Sequence, residues 1–204
     1  MPSPMRLWAA VVLLLVASLS TASEVALSGA EGHPRARFPL SLHVARLGNV
    51  SFDAAIRRAV DEWNILAQDV LGVQAFAWDE HASRAQVTLT VGPMSSARQM
   101  GQTEVRLGAN GIIVVPVRIV VFEPAPRGQT SAETLLYEVV AHELGHALGL
   151  EHTRDPRSIM CCVSGSIDFN DPHVRETYLD ARRHPDLRSV SPQLRAHYQR
   201  FWSR

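Results

Sequence analysis

The sequence predicts a single α+β domain, a mixed sheet with few helices. Three observations carry that reading. The chain has 204 residues, enough for one domain with a real core and too few for two comfortable ones. Hydrophobic residues make up 46% and charged residues 20%, an ordinary globular composition. Alternating and helical patterns then follow one another as strand, helix, several strands, helix, loop, helix.

The chain opens on "MPSPMRLWAAVVLLLVASLSTASEV", with a basic start ending at Arg6 and an apolar run from Leu7 to Leu19. Small residues follow at Ser18, Ser20, Ala22 and Ser23, the pattern of a cleavable export signal over residues 1–23. The run is short of the roughly 20 residues a spanning helix needs, and an uncleaved anchor is the alternative. No second apolar stretch could cross a bilayer, so the mature protein is expected to be exported, secreted or periplasmic, without membrane association.

Residues 24–37 lack periodicity and read as a flexible lead-in to a domain over 38–204. "FPLSLHVA" (38–45) alternates apolar and polar residues and predicts the first strand. Over 48–72, Phe52, Ala55, Ile56, Ala59, Val60, Trp63, Leu66 and Val70 recur at helical spacing. Ser51 is the expected N-cap of that helix, Gly72 its stop, and Trp63 a core residue. "VQAFAWDE" and "AQVTLTVGP" predict two more strands. "NGIIVVPVRIVVFEPAP" is apolar and β-branched but broken by Pro116, which argues for a sheet edge, a bulge or two short segments. A second long helix runs from the cap Ser131 through "SAETLLYEVVAHELGHALG". The rest reads as loop, with "RETYLDARRHPDLRS" a solvated surface, until a last helix at "SPQLRAHYQRFW", capped by Ser191 with Pro192 following.

Twenty basic and twenty acidic residues cancel, which gives no reason to expect nucleic acid or an anionic membrane as partner. Every basic residue is Arg, so a lysine nucleophile or Schiff base is excluded. The two cysteines, Cys161 and Cys162, are neighbours. A strained eight-membered ring, a bond to another molecule and two free thiols all remain open.

The chemistry concentrates in "HELGHALGLEH" (142–152). On a helix, residues four apart point the same way, so His142 and His146 can grip one ion. Gly149 can end the helix in a left-handed conformation and let His152 turn back as a third ligand. Catalytic zinc takes three protein ligands plus water. Glu143 lies about 100° around the helix from His142, where a carboxylate reaches a bound water without being a ligand, as a general base must. The other histidines (His33, His43, His81, His173, His184 and His197) lack ligand spacing and read as surface or satisfied residues. Glu151 and Asp155 are candidates for orienting a ligand histidine or for capping a turn.

"HELGHALGLEH" has the HExxHxxGxxH form of the metzincin zinc peptidases, and "HTRDPRSIM" is similar to the matrixin stretch that leads into a Met-turn. The resemblance is strong over residues 141–160 and slight in the last forty. It implies a small metzincin-like zincin fold: a twisted mixed sheet, an active-site helix, a Met-turn and a C-terminal helix. It also implies that His142, His146 and His152 bind one catalytic zinc, that Glu143 is the base, and that Met160 forms an apolar floor. The implied activity is zinc-dependent endopeptidase action on a protein or peptide substrate. A non-catalytic zinc-containing binding module, or a hydrolase of another amide such as a cell-wall peptide, are the alternatives.

Three departures stand beside the resemblance. Cys161-Cys162 occupies the positions where matrixins carry Tyr-Pro. No cysteine precedes the helix to cap the zinc. No motif for a second zinc or for calcium is recognisable, so calcium is not expected. An extended substrate would pair with an exposed strand, and Gly111 to Val121 is the candidate edge.

Overall fold

The computed structural model describes residues 27–93 and 100–204. The expected export signal, residues 1–23, lies outside them.

Alternation sets the first strand. In β1 (Leu40–Val44), Leu40 and Leu42 are fully buried. The helical stripe read between 48 and 72 becomes α1 (Val50–Leu71), with Phe52, Ala55, Ile56, Ala59, Val60, Trp63 and Leu66 buried. Its cap is Asn49, not Ser51. The helix starts two residues earlier than expected, and the Asn49 side chain accepts from the amides of Ser51 and Phe52 at 3.1 and 3.2 Å. Gly72 ends it at φ 67°, a left-handed conformation a glycine adopts at little cost.

Strands β2 (Phe76–Trp78), β3 (Val87–Gly92), β4 (Gly101–Leu107) and β5 (Ile113–Phe122) complete one sheet in the order β2-β1-β3-β5-β4. The first four strands in that order pair in parallel, and β4 runs antiparallel to β5. The sheet is thus mixed, as expected, but its edge is not where the sequence suggested. The region 111–121 carries β5, which is bonded on both sides, to β3 from Val117 to Phe122 and to β4. The outer strand on this side is β4, and β2 is the outer strand on the other. Pro116 is tolerated inside β5 because pairing with β3 begins only at Val117, and the register with β4 shifts between Glu104 and Arg106 at the same level.

Helix α2 (Ala132–Ala147) packs on α1 and lies over β4 and β5. It is buried nearly all round from Leu135 to Ala147, so it is a core helix that carries polar residues inward. Two further helices follow, α3 (Pro172–Arg183) and α4 (Ser191–Trp202). Helix α3 falls where loop and solvated surface were expected. It buries no residue, so no apolar stripe marks it, but Asp171 caps it and Pro172 opens it. Ser191 is helical and does not cap α4; a 3₁₀ turn at Leu187–Val190, capped by Asp186, leads straight into it.

The described part of the lead-in, 27–37, is packed. Gly32 donates to the Gly111 carbonyl at 3.0 Å and accepts from the Ile113 amide at 2.9 Å. His33 is fully buried, its ring Nε2 lying 2.9 Å from the Ala147 carbonyl. The segment shows no periodicity because it is held by backbone bridges, a buried histidine and a self-capped Glu31, whose carboxylate accepts from the Ser28 amide and hydroxyl. Among the described residues, no helix is long and apolar enough to cross a membrane.

Candidate metal centre

The centre is built at the end of α2. Ser131 caps the helix, accepting from the Thr134 amide at 3.2 Å. Trp63 of α1, fully buried, donates its indole N–H to the Ala141 carbonyl at 2.9 Å, fixing the turn just before His142. Gly145 faces Met160, and a side chain there would collide with the Met160 sulfur. The helix ends as Gly149 adopts φ 90°, and the chain reverses with Leu150 donating to the Gly145 carbonyl at 3.0 Å. A Cβ at Gly149 would also strike the Glu31 carbonyl, so the lead-in needs this glycine as much as the turn does.

After the reversal, His152 meets the two helical histidines. The three Nε2 atoms lie 3.0 Å (His142 to His146), 3.1 Å (His142 to His152) and 3.1 Å (His146 to His152) apart. The far nitrogens settle the tautomers. His142 Nδ1 is 2.8 Å from the Ile159 carbonyl and His146 Nδ1 is 2.8 Å from the Leu150 carbonyl. A carbonyl only accepts, so both Nδ1 atoms carry the proton and both Nε2 atoms present lone pairs. Burial, with the neighbouring His146 ring second, pushes His142 down to about 3; burial likewise takes His146 to about 4. Both rings are therefore neutral at pH 7. Two lone pairs 3.0 Å apart repel unless a cation lies between them. Zinc fits: tetrahedral bonds of ~2.0–2.1 Å place ligand nitrogens about 3.3 Å apart, close to the observed triangle.

Glu143 points off the same helix and is only 4% exposed. The Thr103 hydroxyl of β4 donates to its Oε2 at 2.5 Å and also lies 3.1 Å from its backbone carbonyl. Glu151 and Asp155 do not orient the histidines. Asp155 binds Arg157, Glu151 lies against Gly29, and backbone carbonyls orient His142 and His146. None of the six remaining histidines joins the cluster.

The Met-turn is tied down from both sides. Thr153 donates to the Met160 carbonyl at 2.9 Å, and Val163 to the Thr153 carbonyl at 3.0 Å, so the strand after His152 is zipped to the segment after Met160. From beneath, Arg182 of α3 donates to the Ser158 carbonyl at 2.7 Å and pairs with Glu138, buried one turn before His142. Residue spacing gives no hint of this clamp. Cys161 and Cys162 are joined to each other, the first of the three arrangements the sequence left open.

A helix-borne histidine pair, a glycine reversal and a third histidine, with Met160 buried against Gly145, make a three-nitrogen centre able to hold one metal ion. The profile of the Matrixin family matches residues 37–176, and the chain belongs to that family of zinc metallopeptidases. Over 41 residues, 20% of this chain, it is 54% identical to macrophage metalloelastase of Oryctolagus cuniculus. Over 25 residues, 12% of this chain, it is 72% identical to a probable matrix metalloproteinase, 095L, of Invertebrate iridescent virus 3. Those stretches span only 9% and 7% of the two proteins' own lengths. Myroilysin superposes over 82% of this chain and 70% of its own, with 16% identity and a TM-score of 0.39.

Proposed function

We propose that this chain is a zinc endopeptidase in which His142, His146 and His152 hold one zinc ion and Glu143 is the general base. The observation that carries the reading is the triangle of Nε2 atoms, with carbonyl partners behind His142 and His146 that turn their lone pairs inward. The chemistry zinc supplies there, when bound, is Lewis acidity toward a scissile carbonyl and acidification of a water toward pKa ~7. Glu143 takes the proton of the attacking water and hands it to the leaving amine. Met160 contributes packing, its thioether filling the space that Gly145 leaves open. The substrate is an extended peptide that pairs with the outer edge of β4, which lies directly over Glu143 through Thr103. Residues 1–23 direct export, and N-terminal sequencing of protein recovered outside the cytoplasm tests that.

The central experiment is hydrolysis of denatured casein and of a quenched peptide library by the purified protein, with and without a zinc chelator. Glu143→Gln is expected to keep one zinc per chain and to lose roughly 10²–10⁴-fold in kcat. Retention of wild-type turnover in that variant refutes the role given to Glu143. Absence of any chelator-sensitive peptide cleavage by the wild type refutes the function.

A further inference from the structure

Strand β4 does more than border the groove. Gly101 and Thr103 are two residues apart, so they face the same side of the strand, and that side faces Glu143. Thr103 is buried, 5% exposed, and its one hydroxyl proton is directed at Glu143 Oε2 from 2.5 Å. At that distance to a carboxylate the bond is short and charge-assisted, stronger than one between neutral groups. Gly101 supplies the space. A Cβ built there would lie 2.5 Å from Glu143 Oε1, 2.8 Å from its Cγ and 2.9 Å from Val139 Cγ1. One residue thus leaves room for the glutamate chain and the other holds one end of its carboxylate.

We propose that Gly101 and Thr103 form a positioning cradle on the outer strand that fixes the rotamer of Glu143. The inference rests on the endopeptidase reading for its catalytic consequence. Because β4 is also the strand offered to the substrate, a displacement of β4 on pairing reaches the carboxylate through the Thr103 hydroxyl. Thr103 lies outside the histidine cluster, and the role assigned to it is carried through Glu143.

The test uses the zinc-loaded protein and the variants Thr103→Val, Thr103→Ser and Gly101→Ala. Zinc content is measured by elemental analysis and folding by thermal unfolding. Side-chain three-bond couplings of Glu143, read by NMR, report its χ1 populations independently of turnover. Thr103→Val matches the shape of threonine without the hydroxyl. It is expected to keep one zinc, to lower kcat about 10-fold with KM within twofold, and to average the Glu143 couplings. Thr103→Ser restores the hydroxyl and is expected to recover most of kcat and the single rotamer. Gly101→Ala is expected to lower kcat with a changed Glu143 rotamer. The proposal is overturned by a Thr103→Val protein whose Glu143 keeps one rotamer and full kcat. It is equally overturned if Ser and Val impair the protein alike, since that marks plain packing. If the wild type cleaves no peptide, the endopeptidase reading fails on its own, and the couplings still decide whether the cradle holds Glu143.

Discussion

Lowering the pH should loosen the strap at 27–37 through one imidazole. His33 sits fully buried between the end of α2 and Arg37. Its Nε2 is 2.9 Å from the Ala147 carbonyl and so carries the proton; its Nδ1, 3.0 Å from Arg37 Nη1, accepts from the guanidinium. A second proton would set an N–H against Arg37. Burial first, with Arg37 and His197 adding, pushes His33 down to about 4, against the pull of the Ala147 bond. An unfolded histidine titrates near 6.5, so between those values the unfolded chain binds more protons and stability falls with pH. The contribution of the neutral ring is complete above about pH 6.5 and is lost as pH passes down through about 4. The gap corresponds to ~3.4 kcal/mol in full, of which roughly 2.5 kcal/mol is gone by pH 4.5. His33→Gln keeps a donor and an acceptor in place but cannot titrate. Urea denaturation of both proteins at pH 7.5 and pH 4.5 gives two stability losses, and the variant's should be smaller by roughly 2.5 kcal/mol. Titrating groups that do not face His33, those of the metal centre included, are common to both proteins and cancel in the difference, and His197→Gln in both backgrounds removes the one histidine that does. Equal losses, to within about 0.5 kcal/mol, would show that the buried neutral ring is not the linked group.

Two perturbations probe the floor and the clamp of the metal centre. Gly145→Ala drives a methyl into the Met160 thioether, and an overpacking cost of about 1–3 kcal/mol is expected in urea melts together with weaker zinc binding. Shortening Met160 to Ala in that background should recover part of the zinc affinity, and strict additivity would show that the two residues do not press on each other. Arg182→Met strands Glu138 in the interior and frees the Ser158 carbonyl, so a loss of about 3–5 kcal/mol is expected by denaturation. The double variant with Glu138→Leu should be markedly less destabilised, and a double no better than the single would remove the buried pair as the cause.

How much of the fold the sequence displays depends on how each element is stabilised. Helix α1 is legible because eight of its residues are buried along one stripe, a pattern that has no other simple explanation. Strand β4 is not, because an outer strand over a helix buries only Thr103 and Val105, and the third residue on that face, Gly101, carries no side chain to complete an alternation. Helix α3 buries nothing, so its one signal is the Asp171-Pro172 start, which marks a beginning and not a length. Pro116 marks a disturbance of the sheet, and of the edge, the bulge and the two short segments open to it, the fold takes the bulge, a register shift against β4. What decides its tolerance is where β3 begins, and that depends on a partner strand some thirty residues away. The strap at 27–37 escapes for a different reason: its partners are carbonyls and a glycine turn, which carry no side-chain pattern.

The site divides along the same line, and the division explains why so short a motif can be read while its machinery cannot. His142, Glu143, His146 and His152 are visible because ligand geometry demands particular side chains at particular spacings. What makes two of the imidazoles usable is supplied by backbone. The Ile159 and Leu150 carbonyls fix which nitrogen carries the proton, and any residue type at those positions offers the same atom. Those carbonyls hold their places because Arg182 grips the Met-turn from α3, Trp63 pins α2, and Gly149 turns the chain. Gly149 is written into the motif, whereas Arg182 and Trp63 are ordinary by themselves and acquire their roles only when the fold brings them within reach. The motif therefore specifies which atoms can meet a cation. The distances at which they meet, 3.0 to 3.1 Å, also depend on residues such as Trp63 and Arg182, whose spacing to the motif carries no signal.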